Sequence, residues 1–242
     1  LQAEAAERVS KQMQSLKPIS APTPYLQSKG IGIYQGAMTS QDGKATIIPA
    51  YDSDGKHWTT QYIQENGEKR FAKDARKKGC FHPVGGMDAL KSAPVLVIAE
   101  GYATAASLAE ALGSATVAAF DSGNLKDVAC ALHEKYPNKP IVIAGDDDKL
   151  QESQNGRNPG REKATLAAKA VDGAAVFPIF APGEQQEKRL SDFNDLAQKS
   201  ALGKDGLKRQ VTAAIRQETQ RHQQRRQQQQ AREAKQEQGM KM

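Results

Sequence analysis

Three groups of acidic residues stand where apolar runs end. Glu100 closes VLVIAEG, Asp146, Asp147 and Asp148 close IVIAGDDD, and Asp192 and Asp195 lie in LSDFNDL after a fourth apolar run. Adjacent aspartates repel one another, and Asp is disfavoured in strands. The triplet is either a polar turn that ends a strand or part of a cation site. Carboxylates gathered in one place are costly unless neutralised. Converging hard oxygen donors suit Mg²⁺ or Mn²⁺.

The elements around these groups decide whether they can converge. After Pro94, short apolar runs alternate with helical stretches: PVLVIAEG, TAASLAEALG, ATVAAFDSG, LKDVACALHEKYPN, KPIVIAGDDD, GREKATLAAKAVDG and AAVFPIF. The runs are apolar throughout rather than alternating, which predicts a parallel sheet with helices on both faces. Such a sheet binds ligands beyond the carboxyl ends of its strands, and that is where the acidic groups fall.

Upstream the pattern differs. Residues 1–17 read as a helix, broken by three prolines in PISAPTP. KATIIPAYD, HWTTQYIQ and EKRFAKD have strand character, with Asp-Gly or Asn-Gly turns between them that signal hairpins. The expected organisation is an N-terminal helix over 1–17, a β-rich lobe over 18–92, an α/β domain over 93–203 and a basic, Gln-rich helical tail over 204–242. That tail is expected to fray into a solvated extension or a linker to a further domain.

The order of Glu-Gly after one strand, Asp-x-Asp after another and a later Asp resembles the Toprim domain. VIAEGYATAASL, IAGDDD, NPGREKA and SDFNDL carry the resemblance over roughly 94–200. It implies a Rossmann-like fold in which Glu100 is the acid/base and a metal-site residue. It further implies Asp146 and Asp148 as metal ligands and Asp192 as the carboxylate supporting a second ion. Asn194 and Asp195 compete for that last place, and Asp147 has no assigned part. The preceding β-rich text is similar to the lobe ahead of Toprim in primases of plasmids and phages. The resemblance therefore implies a DNA primase core of a mobile element, making short RNA on a single-stranded DNA template from NTPs, with a helicase or relaxase as partner in a longer parent. A Toprim nuclease and a non-catalytic nucleic-acid-binding module of a conjugation protein are the alternatives.

Two basic clusters suit such chemistry. Lys69, Arg70, Lys73, Arg76, Lys77 and Lys78 surround Asp74, with Trp58, Phe71 and Phe81 nearby as candidates for base stacking. Arg157, Arg161 and Lys163 stand at an expected helix N-terminus, which favours phosphate. The chain's net charge of +6 lies wholly in residues 208–242, with nine Lys or Arg against three Asp or Glu. Cys80 and Cys130 have no paired spacing, and His57, His82, His133 and His222 have none that suits a metal. No apolar run approaches the ~18 residues of a membrane span. A reducing, cytoplasmic setting is expected. The opening Leu1 is expected of a fragment or processed form.

Overall fold

The computed structural model describes residues 1–239. Helix α1 (Gln2–Met13) buries Ala5, Ala6 and Val9. It stops short of the expected Lys17, because Lys17–Pro18 form strand β1. The proline-rich break holds a short helix, α2 (Pro24–Lys29). Thr23 caps it by accepting the Leu26 N–H, and Pro24 takes a first-turn position that needs no N–H.

Strands β2 (Met38–Thr39), β3 (Thr46–Tyr51), β4 (His57–Ile63) and β5 (Lys69–Phe71) complete a five-stranded antiparallel sheet in chain order. Its hairpins turn where the Asp-Gly and Asn-Gly pairs stand. In the 52–56 turn Gly55 takes φ 84°, which a side chain would resist, and Asp52 accepts the Asp54 and Lys56 N–H groups.

Strand β6 (His82–Val84) lies inside the segment expected to form the small lobe, yet it pairs antiparallel with the second sheet. A Tyr51–Phe81 bridge ties the two sheets there. Then follow α3 (Met87–Ser92), β7 (Leu96–Ala99), α4 (Tyr102–Leu112), β8 (Thr116–Ala118), α5 (Leu125–Lys135), β9 (Ile141–Ala144), α6 (Lys149–Asn155), α7 (Pro159–Ala170) and β10 (Ala174–Val176). The second sheet has the order β10-β9-β7-β8-β6, with β7 to β10 parallel.

Alternation along β7 and β9 explains their unbroken apolarity. Leu96, Ile98, Ile141 and Ile143 join Leu125, Val128, Leu132 and Ala164 of α5 and α7 on one face. Val97, Ala99, Val142 and Ala144 join Leu108, Phe193, Leu207 and Val211 on the other. Each fully buried Val, Leu or Ile contributes about 1.5–3 kcal/mol. The second core also takes in Tyr25, Leu26, Ile48 and Ile63 of the small lobe, so the two sheets share a core.

Helices α8 (Glu184–Glu187) and α9 (Phe193–Lys199) lead to α10 (Gly203–Gly239). Leu207 and Val211 seat its first turns. The expected solvated extension begins later than the loss of its apolar stripe implies. Arg221 donates to the Gly173 carbonyl at 2.5 Å, and Arg225 ion-pairs with Asp172 at 2.8 Å and with buried Glu218 at 2.9 Å. Polar side chains thus tie the helix to the body as far as Arg225. Residues 240–242 of the expected tail lie outside the described residues. Among the described residues no helix is long and apolar enough to cross a membrane.

Candidate metal centre

Glu100 follows β7, and Asp146 to Asp148 follow β9, so parallel pairing of these neighbouring strands puts both at one sheet edge. Asp192 joins them as the N-cap of α9, where its Oδ1 accepts the Asp195 N–H at 2.7 Å. Burial, followed by the charge of Asp148, pushes the Glu100 carboxyl up to about 7. Asp146 is raised well above the ordinary carboxylate range, by burial first and then by Glu100, Asp192, Asp148 and Asp195. Burial and Asp195 likewise raise Asp192, against the opposing Asp195 N–H and Lys29. Each raised value has the same physical origin: carboxylates withdrawn from water, facing one another.

Asp146 Oδ1 is buried and accepts no hydrogen bond. Buried polar atoms are ordinarily paired, and an unpaired carboxylate oxygen is chemically suited to a cation. Among the described residues no three His, Cys, Asp or Glu side chains already stand in ligating geometry. The chemistry of the set nonetheless fits a hard divalent ion: all-oxygen donors, mutual repulsion and an orphaned oxygen.

The middle aspartate separates from its neighbours. Asp147 is 2% exposed. It accepts Arg161 Nε at 2.6 Å and Nη2 at 3.1 Å, Asn158 Nδ2 at 2.8 Å and Gln185 Nε2 at 3.1 Å. Burial alone would raise its carboxyl, but the bonds from Arg161, Gln185 and Asn158 outweigh that and hold it below the usual range. Asp148 faces back over the following turn, where the Gly160 N–H donates to its Oδ2 at 2.8 Å. Gly160 is obligatory there, because a Cβ would lie 2.5 Å from the Asp146 carbonyl oxygen.

The competitors of Asp192 are committed elsewhere. Asp195 accepts the Ser191 N–H at 3.0 Å and pairs with Lys199 at 2.7 Å. Asn194 donates to the Lys29 carbonyl at 2.8 Å and to Ser107 Oγ at 2.9 Å.

The cation cluster of 69–78 disperses: Lys69 and Arg70 are successive residues of β5 and face opposite ways, while Lys73, Arg76, Lys77 and Lys78 follow in the loop beyond it. Lys69 is the member whose charge acts on the carboxylates, without pairing directly with any of them. The residue stays exposed overall, but its ammonium is hemmed in. That enclosure, with Lys29, lowers it, while Asp192, Asp146 and Glu100 oppose the drop. Arg70 pairs with Glu68 at 2.8 Å, Lys77 with Asp121, and Lys78 with Asp127 at 3.9 Å. Arg76 lies over the Trp58 ring, 4.7 Å from its centroid, as does Lys56 at 4.0 Å. The Lys73 carbonyl accepts Arg8 Nη2 at 2.6 Å. Trp58 is therefore occupied, and Phe81 is fully buried, so neither matches the expectation of an open stacking ring. Phe71 packs edge-on against Phe120.

In the second cluster Arg157 pairs with Glu162 at 3.0 Å, Lys163 is exposed on α7, and Arg161 is engaged with Asp147 and with the Phe177 ring at 4.4 Å. Lys29, Asn158 and Gln185 were not anticipated. The Asn-Pro pair at 158–159 is a helix-start signal that points to Asn158. Nothing in the text near Lys29 or Gln185 reveals their partners.

A family model described as the Toprim domain matches residues 95–202. These residues are a Toprim domain. Its span contains Glu100, Asp146, Asp148 and Asp192. Toprim domains and primase cores are metal-dependent in general. Two Escherichia coli proteins named DNA primase TraC are similar over most of the chain. One is 53% identical over 87% of this chain and 25% of its own length, the other 51% identical over 92% and 19%. The chain thus spans a quarter or less of these relatives. Two solved structures share the fold. The DnaG primase catalytic domain bound to ssDNA matches with a TM-score of 0.56 at 14% identity, over 88% of this chain and 80% of that one. The primase fragment of the bacteriophage T7 primase-helicase matches with a TM-score of 0.53 at 14% identity, over 78% and 73%. The fold around the Toprim sheet, small lobe included, is thus that of primase catalytic cores.

Proposed function

We propose that the chain is the catalytic core of a plasmid-type DNA primase, making short RNA primers from NTPs on single-stranded DNA. The observation that carries this reading is Glu100, raised to about 7, at a sheet edge with Asp146, Asp148 and Asp192. Similarity to the TraC primases supports it.

Asp146, Asp148 and Asp192, with Glu100, would hold Mg²⁺ or Mn²⁺. Such ions neutralise charge developing on the attacking and leaving oxygens of a phosphoryl transfer. Glu100 has proton affinity near neutrality, which suits a general base. The 3′-hydroxyl oxygen bonds to the α-phosphorus of the incoming NTP, the bond to pyrophosphate breaks, and the hydroxyl proton passes to a Glu100 Oε. Lys69, whose charge acts on these carboxylates, would attract a triphosphate bound there.

Arg8, Tyr62, Arg70, Phe71 and Lys73 line a groove of about 450 Å³ on the small lobe. Cations beside aromatic rings suit single-stranded DNA. The remaining cations, Arg76, Lys77, Lys78, Arg157, Arg161 and Lys163, would contact nucleic acid or nucleotide through what their pairing with Trp58, Asp121, Asp127, Glu162 and Asp147 leaves unused, Lys163 being exposed. We place the activity in the cytoplasm, with a helicase or relaxase as partner within a longer parent.

The test is incubation with single-stranded DNA, labelled NTPs and Mg²⁺ or Mn²⁺. RNA oligomers that vanish in Asp146→Ala with Asp148→Ala are expected. DNA fragments without RNA would point to a nuclease, and no product at all would overturn catalysis by this chain.

A further inference from the structure

Asp147 is the aspartate of the triplet that has no part in ligation, yet it is the most buried of the three and the most heavily hydrogen-bonded. Its partners come from two directions. Asn158 and Arg161 stand at the start of α7, and Gln185 stands on α8. Its backbone is engaged as well. The Asp147 N–H donates to the Ser191 carbonyl at 2.7 Å, and Gln185 Nε2 donates to the Asp147 carbonyl at 3.2 Å. Ser191 immediately precedes Asp192, and the Ser191 N–H donates to Asp195, which is locked to Lys199. The Asp147 residue is therefore the point at which the loop carrying Asp146 and Asp148 is fastened to the loop carrying Asp192. Asn158 strengthens the same fastening, since its Oδ1 accepts the Asp148 N–H at 3.0 Å.

We propose that Asp147 is a positioning residue: it holds the Asp146–Asp148 loop and the Asp192 loop at the spacing a divalent ion requires. The inference rests on the metal-centre reading of the site. Facing carboxylates drive the two loops apart whenever they are ionised, and a hydrogen-bonded clamp outside the ligand sphere resists that separation. Partners that orient ligands in this way are worth about 10- to 100-fold in metal affinity. Asp147 touches neither ion nor substrate. Its contribution passes through the backbone of its two neighbours and through Ser191.

The experiment is titration of the chain with Mn²⁺ alone, following the electron paramagnetic resonance signal of free Mn²⁺. Asp147→Ala is expected to weaken binding by about 10- to 100-fold, with Asp147→Asn intermediate, because the amide keeps one oxygen acceptor. Leu132→Ala removes a core side chain of α5, a helix that contributes no residue to either loop. It lowers stability and is expected to keep wild-type affinity, which separates positioning from loss of stability. Should Asp147→Ala not fold, Arg161→Ala removes the bidentate partner alone and carries the same expectation of weakened binding. Wild-type affinity in Asp147→Ala, or in Arg161→Ala where that variant replaces it, overturns the positioning role while leaving the metal centre standing. Absence of Mn²⁺ binding by the wild-type chain overturns both.

Discussion

Glu100→Gln keeps the shape of the side chain and removes its charge. In the folded protein the carboxyl titrates at about 7 against an ordinary 4.5. Each tenfold change in proton affinity corresponds to 1.36 kcal/mol, so ionised Glu100 costs the metal-free fold at most about 3 kcal/mol above pH 7. Partial access to solvent and sharing of the effect with Asp146, itself raised by Glu100, reduce this to about 2 kcal/mol. The sign follows from which state holds the proton. Below pH 4.5 both states are protonated and nothing is lost. As pH rises, the unfolded chain ionises first, and stability falls until the folded carboxyl also ionises near 7. At pH 5 the cost is under about 1 kcal/mol. Glu100→Gln is therefore expected to raise the midpoint of thermal unfolding in EDTA at pH 8 by about 4–8 °C. Most of that gain is expected to disappear at pH 5. Melts followed by circular dichroism at the two pH values read this directly. A variant less stable than wild type at pH 8, or a gain of equal size at pH 5, would refute the reasoning.

Gly160→Ala places a Cβ 2.5 Å from the Asp146 carbonyl oxygen and 2.9 Å from its carbon. The ligand loop must shift, with an expected cost of about 1–3 kcal/mol in urea unfolding and a loss of priming beyond that of Gly32→Ala, whose Cβ would meet nothing and whose φ is not positive. Glu218→Ala leaves Arg221 and Arg225 without their buried carboxylate. Amide exchange over residues 218–230 is expected to rise while that of β9 stays unchanged. His82 is wholly buried, with Nδ1 on the Pro49 carbonyl, and burial depresses it to about 4. Its folded affinity for protons lies below the unfolded value of 6.5, so stability is lost as pH falls from about 6.5 towards 4. Relative to His82→Gln, wild type is expected to lose about 3 kcal/mol over that window in urea titrations.

Much of this architecture was legible in the sequence, for reasons that differ by element. Unbroken apolar runs such as IVIA announce a sheet covered on both faces, and the fold places Val142 and Ile143 in different cores. Parallel pairing then fixes where Glu100 and the aspartates emerge. What was not legible depends on contacts between distant segments. Asp147 reads like its neighbours, and only the approach of Gln185, 38 residues on, and of Arg161 distinguishes it. The six cations of 69–78 read as one patch, but the end of β5 after Phe71 and nearby acids divide them, and Lys69 is the one whose charge reaches the carboxylates. Phe81 looked available for stacking because an aromatic near a basic run says nothing of burial. Strand β6 is three residues long, too short for periodicity to assign it to a sheet. The far half of α10 lacks an apolar stripe, and the arginine contacts that hold it down have no periodic signature.

Asp146, Asp148 and Asp192, with Glu100, are proposed to form the divalent-metal centre on which catalysis depends. Crystals grown in saturating Mn²⁺, measured at a wavelength where manganese scatters anomalously, would show this most directly. An anomalous peak within ligating distance of Asp146 and Asp148 carboxylate oxygens, lost in Asp146→Ala, is the predicted result. A map without a peak among these carboxylates, in crystals that carry Mn²⁺ elsewhere on the chain, would contradict it.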